Sequence, residues 1–424
     1  MRLIDMLATL LSLAALFSWI NLRYLRLPTT IGLMLIALLT SLGLLALAPL
    51  VPGLEQQAEI LLVGIRFDDA LLHGVLALLL FAGALHVNLE DLVRQGWVIG
   101  ILASASVIGA TVLVGLGSWV VFILLGQQVP LIYCLIFGAL IAPTDPIAVL
   151  GIMKSSVAPK SINAIITGES LLNDGVAVVT FLLLLRAATS GQPMSISEVS
   201  GMLAREALGG LVLGFVAGWS AYQMLRRIDD YKTTVLISLA VATGVYSLAE
   251  NLRLSAPIAV VVAGLVVANH NRLLAMSSKS REQLHTFWEL VDEVLNAMLF
   301  VVMGLEVLIL DLREQYLLIG LLAIPLVLFA RLISVGLPIG ILRRFRSFSP
   351  GVVTLLTWAG LRGGVSVALA LSLPTGDMRD TLVAMTYVVV VFSILIQGPT
   401  LGYVVQTTAA RAEKEMARTG RLPR

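Results

Sequence analysis

The chain has 424 residues, of which 58% are hydrophobic and only 13% are charged. Soluble domains carry about 25% charged residues, so this composition excludes a soluble protein and predicts one that uses lipid as its solvent. The formal net charge of +2 gives no reason to expect a nucleic-acid partner. The single cysteine, Cys134, excludes a disulfide framework and a cysteine-based metal cluster.

Thirteen segments are long and apolar enough to cross a bilayer, since a membrane-spanning helix needs roughly 20 apolar residues. In chain order they lie near residues 4–22, 29–50, 70–89, 97–125, 129–153, 161–186, 204–225, 233–250, 256–271, 285–310, 316–341, 350–372 and 380–406. We interpret the first as a retained span rather than a cleaved signal peptide, because no A-x-A cleavage site follows it. The sequence therefore predicts an all-α polytopic membrane protein with about 13 transmembrane helices.

The basic residues predict how these spans are oriented. Lys and Arg collect in cytoplasmic loops. With the N-terminus outside and the C-terminus in the cytoplasm, most of the 28 Lys and Arg residues fall on the inner side, while Arg331 and Arg362 fall within spans. The short basic tail at 407–424 is expected to be a disordered stub, with binding to anionic lipid as the alternative.

Three spans carry a charged residue far from either end. Asp145 lies in the fifth span, Asp174 in the sixth and Arg362 in the twelfth. A charge at the centre of a bilayer costs at least a few kcal/mol and usually marks an ion pathway or a proton relay. The alternative is that these groups pair with one another and only hold helices together.

Helix-breaking motifs surround two of these charges. The sequence "PTDP" (143–146) contains Asp145, and the glycine-rich "GLRGG" (360–364) contains Arg362. Interrupted helices at matching places in two halves of a chain mark transporter substrate sites. Since the two spans stand seven apart, spans four to six are predicted to repeat as spans eleven to thirteen with inverted topology. The alternative is a proline kink and a glycine packing face, both common in membrane helices.

The sixth span carries a stripe of oxygen-bearing side chains. Thr167, Ser170 and Asp174 share one helix face, because residues three or four apart are neighbours on a helix. Sodium prefers oxygen ligands, so this stripe predicts a sodium site, which carbonyl groups of an unwound segment near Thr144 could complete.

A second polar pair, Glu169 and Asn173, lies on the neighbouring stripe of the same helix. We predict that Glu169 pairs with Arg362, as a buried ion pair that holds two interrupted helices in register. Glu169 is therefore expected to have a structural role, whereas Asp174 carries the chemistry.

Six motifs resemble those of the monovalent cation:proton antiporter family, in its NhaP-like sodium/proton exchanger branch. They are "FAGALHV" (81–87), "APTDPIAV" (142–149), "GESLLNDGVAVV" (168–179), "YSLAENLRLSAPIAVVVAGL" (246–265), "FWELVDEVLNAMLFVVMGLE" (287–306) and "WAGLRGGVSVALAL" (358–371). They run in the family's order over nearly the whole chain.

The resemblance implies a homodimer in a prokaryotic inner or plasma membrane, with inverted repeats and two crossed discontinuous helices. Spans one to three (1–96) and seven to ten (191–312) would form the dimerisation and linking helices. Spans four to six (97–190) and eleven to thirteen (313–406) would form the ion-transport core, followed by a short cytoplasmic tail (407–424).

By motif position, the resemblance also implies a role for each polar residue near the site. Asp174 matches the family's essential ion- and proton-binding aspartate, and Asn173 its companion asparagine. Ser170, Thr144 and Asp145 match residues around the ion. The expected sodium ligands among these are Asp174, Ser170 and Thr144.

The remaining two charges, Glu169 and Arg362, match the family's structural ion pair. The order asparagine–aspartate at 173–174 resembles the electroneutral branch of the family.

These residues predict a secondary active antiporter that exchanges Na⁺ or Li⁺ for H⁺ by alternating access. Asp174 could hold either a proton or a metal ion but not both, and Asn173 does not titrate, so a 1:1 electroneutral exchange is expected. A K⁺/H⁺ antiporter of the same fold is the first alternative. An intramembrane aspartyl protease, with Asp145 facing Asp174, is a remote one.

No cofactor and no enzymatic activity are expected, because no Walker loop, H-E-x-x-H motif or dinucleotide fingerprint lies in a suitable context. The four histidines, His73, His86, His270 and His285, are too scattered in the sequence to predict a metal site. His86, His270 and His285 are predicted to lie near the inner surface, where they could modulate a pH response or could simply be solvated.

Overall fold

The computed structural model describes residues 3–47, 74–87, 89–145, 149, 160–190, 196–273, 278–308, 314–346, 348 and 351–419. The regular elements among these residues are helices. In chain order they are α1 (Leu3–Ile20), α2 (Thr29–Leu47), α3 (Leu76–His86), α4 (Leu89–Leu124), α5 (Leu131–Leu140), α6 (Lys160–Ser190), α7 (Ile196–Leu225), α8 (Tyr231–Asn251), α9 (Ala256–Leu273), α10 (Ser278–Leu305), α11 (Glu314–Leu342), α12 (Val352–Trp358), α13 (Gly364–Leu371), α14 (Asp377–Phe392) and α15 (Gly398–Thr419). A π-helical turn follows α1 (Asn21–Leu25), and another joins α14 to α15 (Ser393–Gln397).

The predicted all-α polytopic membrane fold is confirmed. Each of the thirteen predicted spans overlaps at least one described helix. Within the described part of the chain, eight helices are long and apolar enough to cross a membrane. The start of the third predicted span (70–73) and most of the second half of the fifth lie outside the described residues. The exact number of crossings stays a prediction.

The start of α8 shows how local sequence sets a helix boundary. Asp230 is the N-cap residue, and its Oδ2 atom accepts hydrogen bonds from the Thr233 hydroxyl (2.7 Å) and the Thr233 backbone N–H (2.9 Å). Both bonds lower the pKa of the Asp230 carboxyl because they stabilise its ionised form, and the bond from the Thr233 hydroxyl has the larger effect. They also satisfy an N–H group that the first helical turn leaves without a helical partner.

The chain divides into two compact units. The first unit comprises Met1–Glu90, Asp174–Leu310 and Leu371–Leu373, and the second comprises Asp91–Asn173, Asp311–Ala370 and Pro374–Arg424. The boundary within α6 falls between Asn173 and Asp174, so this one helix contributes to both units.

In the first unit, small residues bring the backbones of α7 and α9 close together. A Cβ atom on Gly218 would lie 2.9 Å from the carbonyl oxygen of Ala263, and one on Gly214 would lie 2.9 Å from the Cβ atom of Val262. Closely spaced glycines of this kind let membrane helices pack tightly where the hydrophobic effect between helices is weak.

A buried tryptophan joins three further helices of the first unit. The side chain of Trp288 in α10 is fully buried, and its indole N–H donates to the hydroxyl of Ser238 in α8 (3.0 Å). Its ring lies 4.9 Å from that of Phe81 in α3, measured between centroids. The hydrogen bond satisfies the polar end of a large apolar side chain, so Trp288 contributes packing at no cost in buried polarity.

Two of the four histidines meet in this unit, which their positions in the sequence do not reveal. The ring centroids of His86 in α3 and His285 in α10 are 5.6 Å apart. His73 and the side chain of His270 lie outside the described residues. Among the side chains that are described, no group of three or more His, Cys, Asp or Glu residues could hold a metal ion.

In the second unit, α4 and α5 pack with their backbones in close contact. A Cβ atom on Gly115 would lie 2.9 Å from the Cα atom of Leu135, and one on Gly138 would lie 2.9 Å from the Cα atom of Thr111. Because each helix presents a glycine to the other, α5 is fixed along its length up to the point where it ends. The "PTDP" segment (143–146) begins shortly after that point.

The prediction of a disordered tail is wrong up to Thr419. Helix α15 continues without interruption from Gly398 to Thr419, well beyond the predicted span. The sequence from 407 to 419 is rich in Ala, Glu, Lys, Arg and Met, which have high helix propensity. A helix that already exists at the end of a span extends at little cost through such residues, since the unfavourable nucleation step is complete.

Candidate ion-binding site

The polar motif of the sixth span lies on α6 and is buried. Glu169 is 1% exposed and Asp174 is 6% exposed, and the side chains of Ser170 and Asn173 are also buried. Glu169 and Asn173 are four residues apart, as are Ser170 and Asp174, so each pair lies on one face of the helix. The helix thus carries two carboxyl groups where few waters compete for them.

The first helix break follows α5. The helix ends at Leu140, and residues 142–145 have no regular structure. In a continuous helix the carbonyl group of Ala142 would accept from the N–H of residue 146, which is a proline and has none. Pro143 likewise offers no N–H to the preceding turn. The "PTDP" motif therefore interrupts the helix as predicted, although Pro146 itself lies outside the described residues.

The first break places a threonine against the polar motif of α6. The Thr144 hydroxyl lies 2.9 Å from the hydroxyl of Ser170, and it accepts a hydrogen bond from the Asn173 side-chain amide (2.7 Å). The Asn173 Oδ1 atom is buried and has no hydrogen-bond partner among the described residues. Three predicted site residues thus form one cluster of oxygen atoms, the kind of ligand that a hard cation prefers.

The second break separates α12 from α13. Helix α12 ends at Trp358 and α13 begins at Gly364, so Arg362 lies in the interruption, as the "GLRGG" motif predicts. The Arg362 guanidinium group is buried and donates from Nη1 to the carbonyl oxygens of Ala142 and Pro143, the latter at 3.1 Å. It therefore satisfies carbonyl groups that the first break leaves without helical donors.

The two breaks also touch through their backbones. The N–H of Asp145 donates to the carbonyl of Leu361 (2.7 Å). A Cβ atom on Gly363 would lie 2.6 Å from Oδ2 of Asp145, so glycine is required for this approach. The structure thus brings together the two interrupted spans that the sequence singled out, within the second unit.

The predicted partner of Glu169 is wrong. The Glu169 carboxylate binds Arg331 of α11 in a bidentate ion pair, with Nη1 to Oε1 at 2.7 Å and Nη2 to Oε2 at 2.9 Å. Ser106 of α4 donates a further hydrogen bond to Oε1 (3.3 Å). Arg362 is instead directed at backbone carbonyls, because the first break leaves those acceptors open.

Sequence reasoning passed over Arg331 although a signal was present. Arg331 lies within the eleventh span, far from either end of α11, as Arg362 does in the twelfth. An arginine at that depth needs a partner of its own. The sequence therefore contains two intramembrane arginines that could pair with Glu169.

Asp174 and Asp145 complete the set of predicted site residues. Asp174 directly follows Asn173 in α6, one helical turn after Ser170. Asp145 is half-buried at the end of the first break. The roles of these residues in binding an ion stay predictions.

Comparison with known proteins gives a consistent result. The chain matches the family of transmembrane sodium/hydrogen exchangers over residues 11–407. It is 46% identical over 409 residues to the Na(+)/H(+) antiporter NhaP of Pseudomonas aeruginosa, covering 95% of this chain and 96% of that protein. It is 34% identical over 387 residues to the Na(+)/H(+) antiporter NhaH of Halobacillus dabanensis, covering 89% and 91%.

A solved structure shows the same architecture. The sodium proton antiporter MjNhaP1 from Methanocaldococcus jannaschii aligns with a TM-score of 0.75 over 96% of this chain and 99% of that chain, at 18% sequence identity. At this identity the similarity concerns the fold alone.

Proposed function

The chain belongs to the sodium/hydrogen exchanger family and is an antiporter of sodium ions and protons, and from this premise we propose that Asp174 is the group that binds either ion. A single carboxylate can hold one proton or one monovalent cation, but not both. If the site changes its exposure from one side of the membrane to the other only while this carboxylate holds an ion, one proton is exchanged for one sodium ion and no net charge moves. Asn173 does not titrate and therefore adds no second proton.

The observation that carries this proposal is the oxygen cluster beside the first break. Ser170 lies one turn before Asp174 on α6, and its hydroxyl meets that of Thr144. The unpartnered Oδ1 atom of Asn173 adds a third oxygen. We assign Asp174, Ser170 and Thr144 as sodium ligands, with Asn173 and Asp145 beside them.

Glu169, Arg331 and Arg362 serve to hold this site together. Both carboxylate oxygens of Glu169 accept from the terminal nitrogens of Arg331, and Arg362 ties the second break to the first. A buried pair of this kind contributes little net stability, but it fixes which segments lie side by side.

Transport by this site requires alternating access. In our proposal the core formed by spans four to six and eleven to thirteen (97–190 and 313–406) moves as a body, while the remaining helices (1–96 and 191–312) form a homodimer interface. The two interrupted helices in matching halves support this division, because such breaks carry the substrate site in transporters with inverted repeats. The protein would lie in a prokaryotic inner or plasma membrane, with its N-terminus outside and its C-terminus in the cytoplasm.

The decisive test replaces Asp174. Reconstituted in proteoliposomes, Asp174→Asn is expected to reduce sodium-driven proton movement to the level of protein-free vesicles, because the amide neither titrates nor neutralises a cation. Asp230→Asn is the matched control, since an exposed N-cap asparagine caps a helix as well as aspartate does. Persistent exchange by Asp174→Asn would overturn the assignment.

The same vesicles distinguish Na⁺/H⁺ from K⁺/H⁺ exchange and define the stoichiometry. Dissipation of a pH gradient is measured with Na⁺, Li⁺ or K⁺, with and without an imposed voltage. We expect activity with Na⁺ and Li⁺ and no effect of voltage. A response to voltage would exclude the 1:1 stoichiometry.

A further inference from the structure

The π-helical turn that joins α14 to α15 lies against the second break. This turn, Ser393–Gln397, belongs to the same compact unit as the break. The side chains of Ser393 and Gln397, its first and last residues, are 1% and 2% exposed. Single π-helical turns inside α-helices are rare and often occur at functional sites.

These two side chains bridge the two ends of the break. The backbone N–H of Arg362 donates to the Ser393 hydroxyl (2.8 Å), and that hydroxyl donates to Gln397 Oε1 (3.4 Å). The Gln397 amide nitrogen in turn donates to the carbonyl of Trp358 (2.8 Å). Trp358 and Arg362 are four residues apart, so in a continuous helix this same N–H would bond to this same carbonyl. The side-chain pair therefore replaces one missing helical hydrogen bond.

The second break needs such support because its own sequence does not enforce it. The first break contains prolines, which remove helical donors. The second, residues 359–363, contains none, and its glycines permit an interruption without requiring one. Without Ser393 and Gln397, a buried N–H and a part-buried carbonyl would lose their partners, which is costly in an apolar interior. Closure of the α12–α13 break into a continuous helix would satisfy them.

Closure of the break would displace Arg362. Its guanidinium group holds the carbonyls of Ala142 and Pro143, directly before the Thr144 hydroxyl in the oxygen cluster. Hydrogen bonds thus link the π-helical turn to Arg362 in the second break, and Arg362 to the two residues directly before Thr144.

We propose that Ser393 and Gln397 are positioning residues, which hold the second break open and thereby keep Arg362 in place beside the first. The transport measurement that tests this proposal rests on the proposed sodium/proton exchange. The structural measurement, hydrogen–deuterium exchange, does not depend on it.

The test uses Ser393→Ala, Gln397→Leu and the double variant in the full-length protein, with Ser393→Thr as a conservative variant that keeps the hydroxyl. Thr386→Val is the matched control, because Thr386 is also buried in α14 but its hydroxyl donates only to Leu382 of its own helix. Loss of one buried hydrogen bond is expected to raise the apparent KM for Na⁺ roughly tenfold, with a smaller change in maximal rate. The double variant should be no worse than the poorer single variant, because one bridge is lost in each case.

The structural readout is hydrogen–deuterium exchange at the Arg362 amide. Faster exchange in Ser393→Ala would show loss of the acceptor of this N–H, and faster exchange in Gln397→Leu would show that the Ser393 hydroxyl no longer holds it once its own partner is lost. Slower exchange in either variant would show closure into a helix, and each of these results supports the bridge. Exchange unchanged from the wild type in both variants, or KM values equal to that of Thr386→Val, would overturn it. Failure of the proposed function would instead appear as absent sodium-driven exchange in the wild type.

Discussion

Two buried charges among the described residues, Glu169 and Arg362, have well-defined hydrogen-bond partners. Glu169 accepts from both terminal nitrogens of Arg331 and from Ser106, while Arg362 donates to the carbonyls exposed by a helix break. Bidentate geometry matters here, because a buried ion pair offsets its desolvation cost only when its remaining hydrogen bonds are made. The pair is best understood as a device that specifies which helices meet.

At this scale we predict that Arg331→Met destabilises the protein by about 3–5 kcal/mol, since it leaves the Glu169 carboxylate buried without its counter-charge. The double variant Glu169→Gln/Arg331→Met should recover most of that loss. Thermal unfolding of the purified protein in detergent measures both. A melting temperature for Arg331→Met equal to that of the wild type would contradict the structural role of the pair.

At the scale of whole elements, the two interrupted spans are broken by different means. In the interrupted span that follows α5, proline removes helical donors, so the four consecutive residues of the "PTDP" motif (143–146) are enough to cause the break. The second break depends on glycines that allow it and on side chains from the π-helical turn that satisfy it. The two breaks meet at Gly363, where the absence of a side chain allows close approach to Asp145.

Gly363→Ala should therefore separate the two breaks. Its Cβ atom would lie 2.6 Å from Oδ2 and 2.7 Å from Cβ of Asp145, and overpacking of this kind costs about 1–3 kcal/mol. We expect a lower melting temperature and a reduced rate of sodium-driven proton movement. Gly244→Ala provides the control: it lies within α8 with no atom within 4 Å of the new methyl group, and it should be neutral or stabilising by about 0.5–1 kcal/mol. Equal behaviour of the two variants would show that the contact at Gly363 is unimportant.

At the scale of the whole molecule, the chain forms two compact units that share helix α6. The division along the chain falls within the polar motif, with Asn173 assigned to the second unit and Asp174 to the first. The orientation of these units in the membrane follows, in our proposal, from the distribution of Lys and Arg, which collect on the cytoplasmic side.

Cysteine labelling tests that orientation. Cys134→Ala removes the only cysteine, after which Arg227→Cys places a single exposed thiol in the connection before α8, and Asn251→Cys places one at the last residue of α8. We expect a membrane-impermeant maleimide to label residue 251 from outside intact cells and residue 227 only after the membrane is opened. The reverse pattern would invert the proposed topology, and labelling of both from outside would exclude α8 as a crossing.

Much of this architecture is written into local sequence. Apolar runs of about 20 residues predict membrane helices because the hydrocarbon thickness sets the length of a span. The "PTDP" and "GLRGG" motifs predict the two breaks, since proline and glycine act on the backbone within one helical turn. The tail departs from the predicted disorder because its residues have high helix propensity despite their polar composition.

The sequence by itself determined that this is an all-helical membrane protein. It also determined where two of the spans are interrupted and which residues of α6 share a face of that helix. Only the tertiary structure decided that Glu169 pairs with Arg331 rather than Arg362, and that Ser393 and Gln397 complete the second break. The physical reason is range. Hydropathy and backbone preferences act within a turn or a span, whereas the choice between two arginines at similar depth depends on how distant helices pack, to within the length of a hydrogen bond.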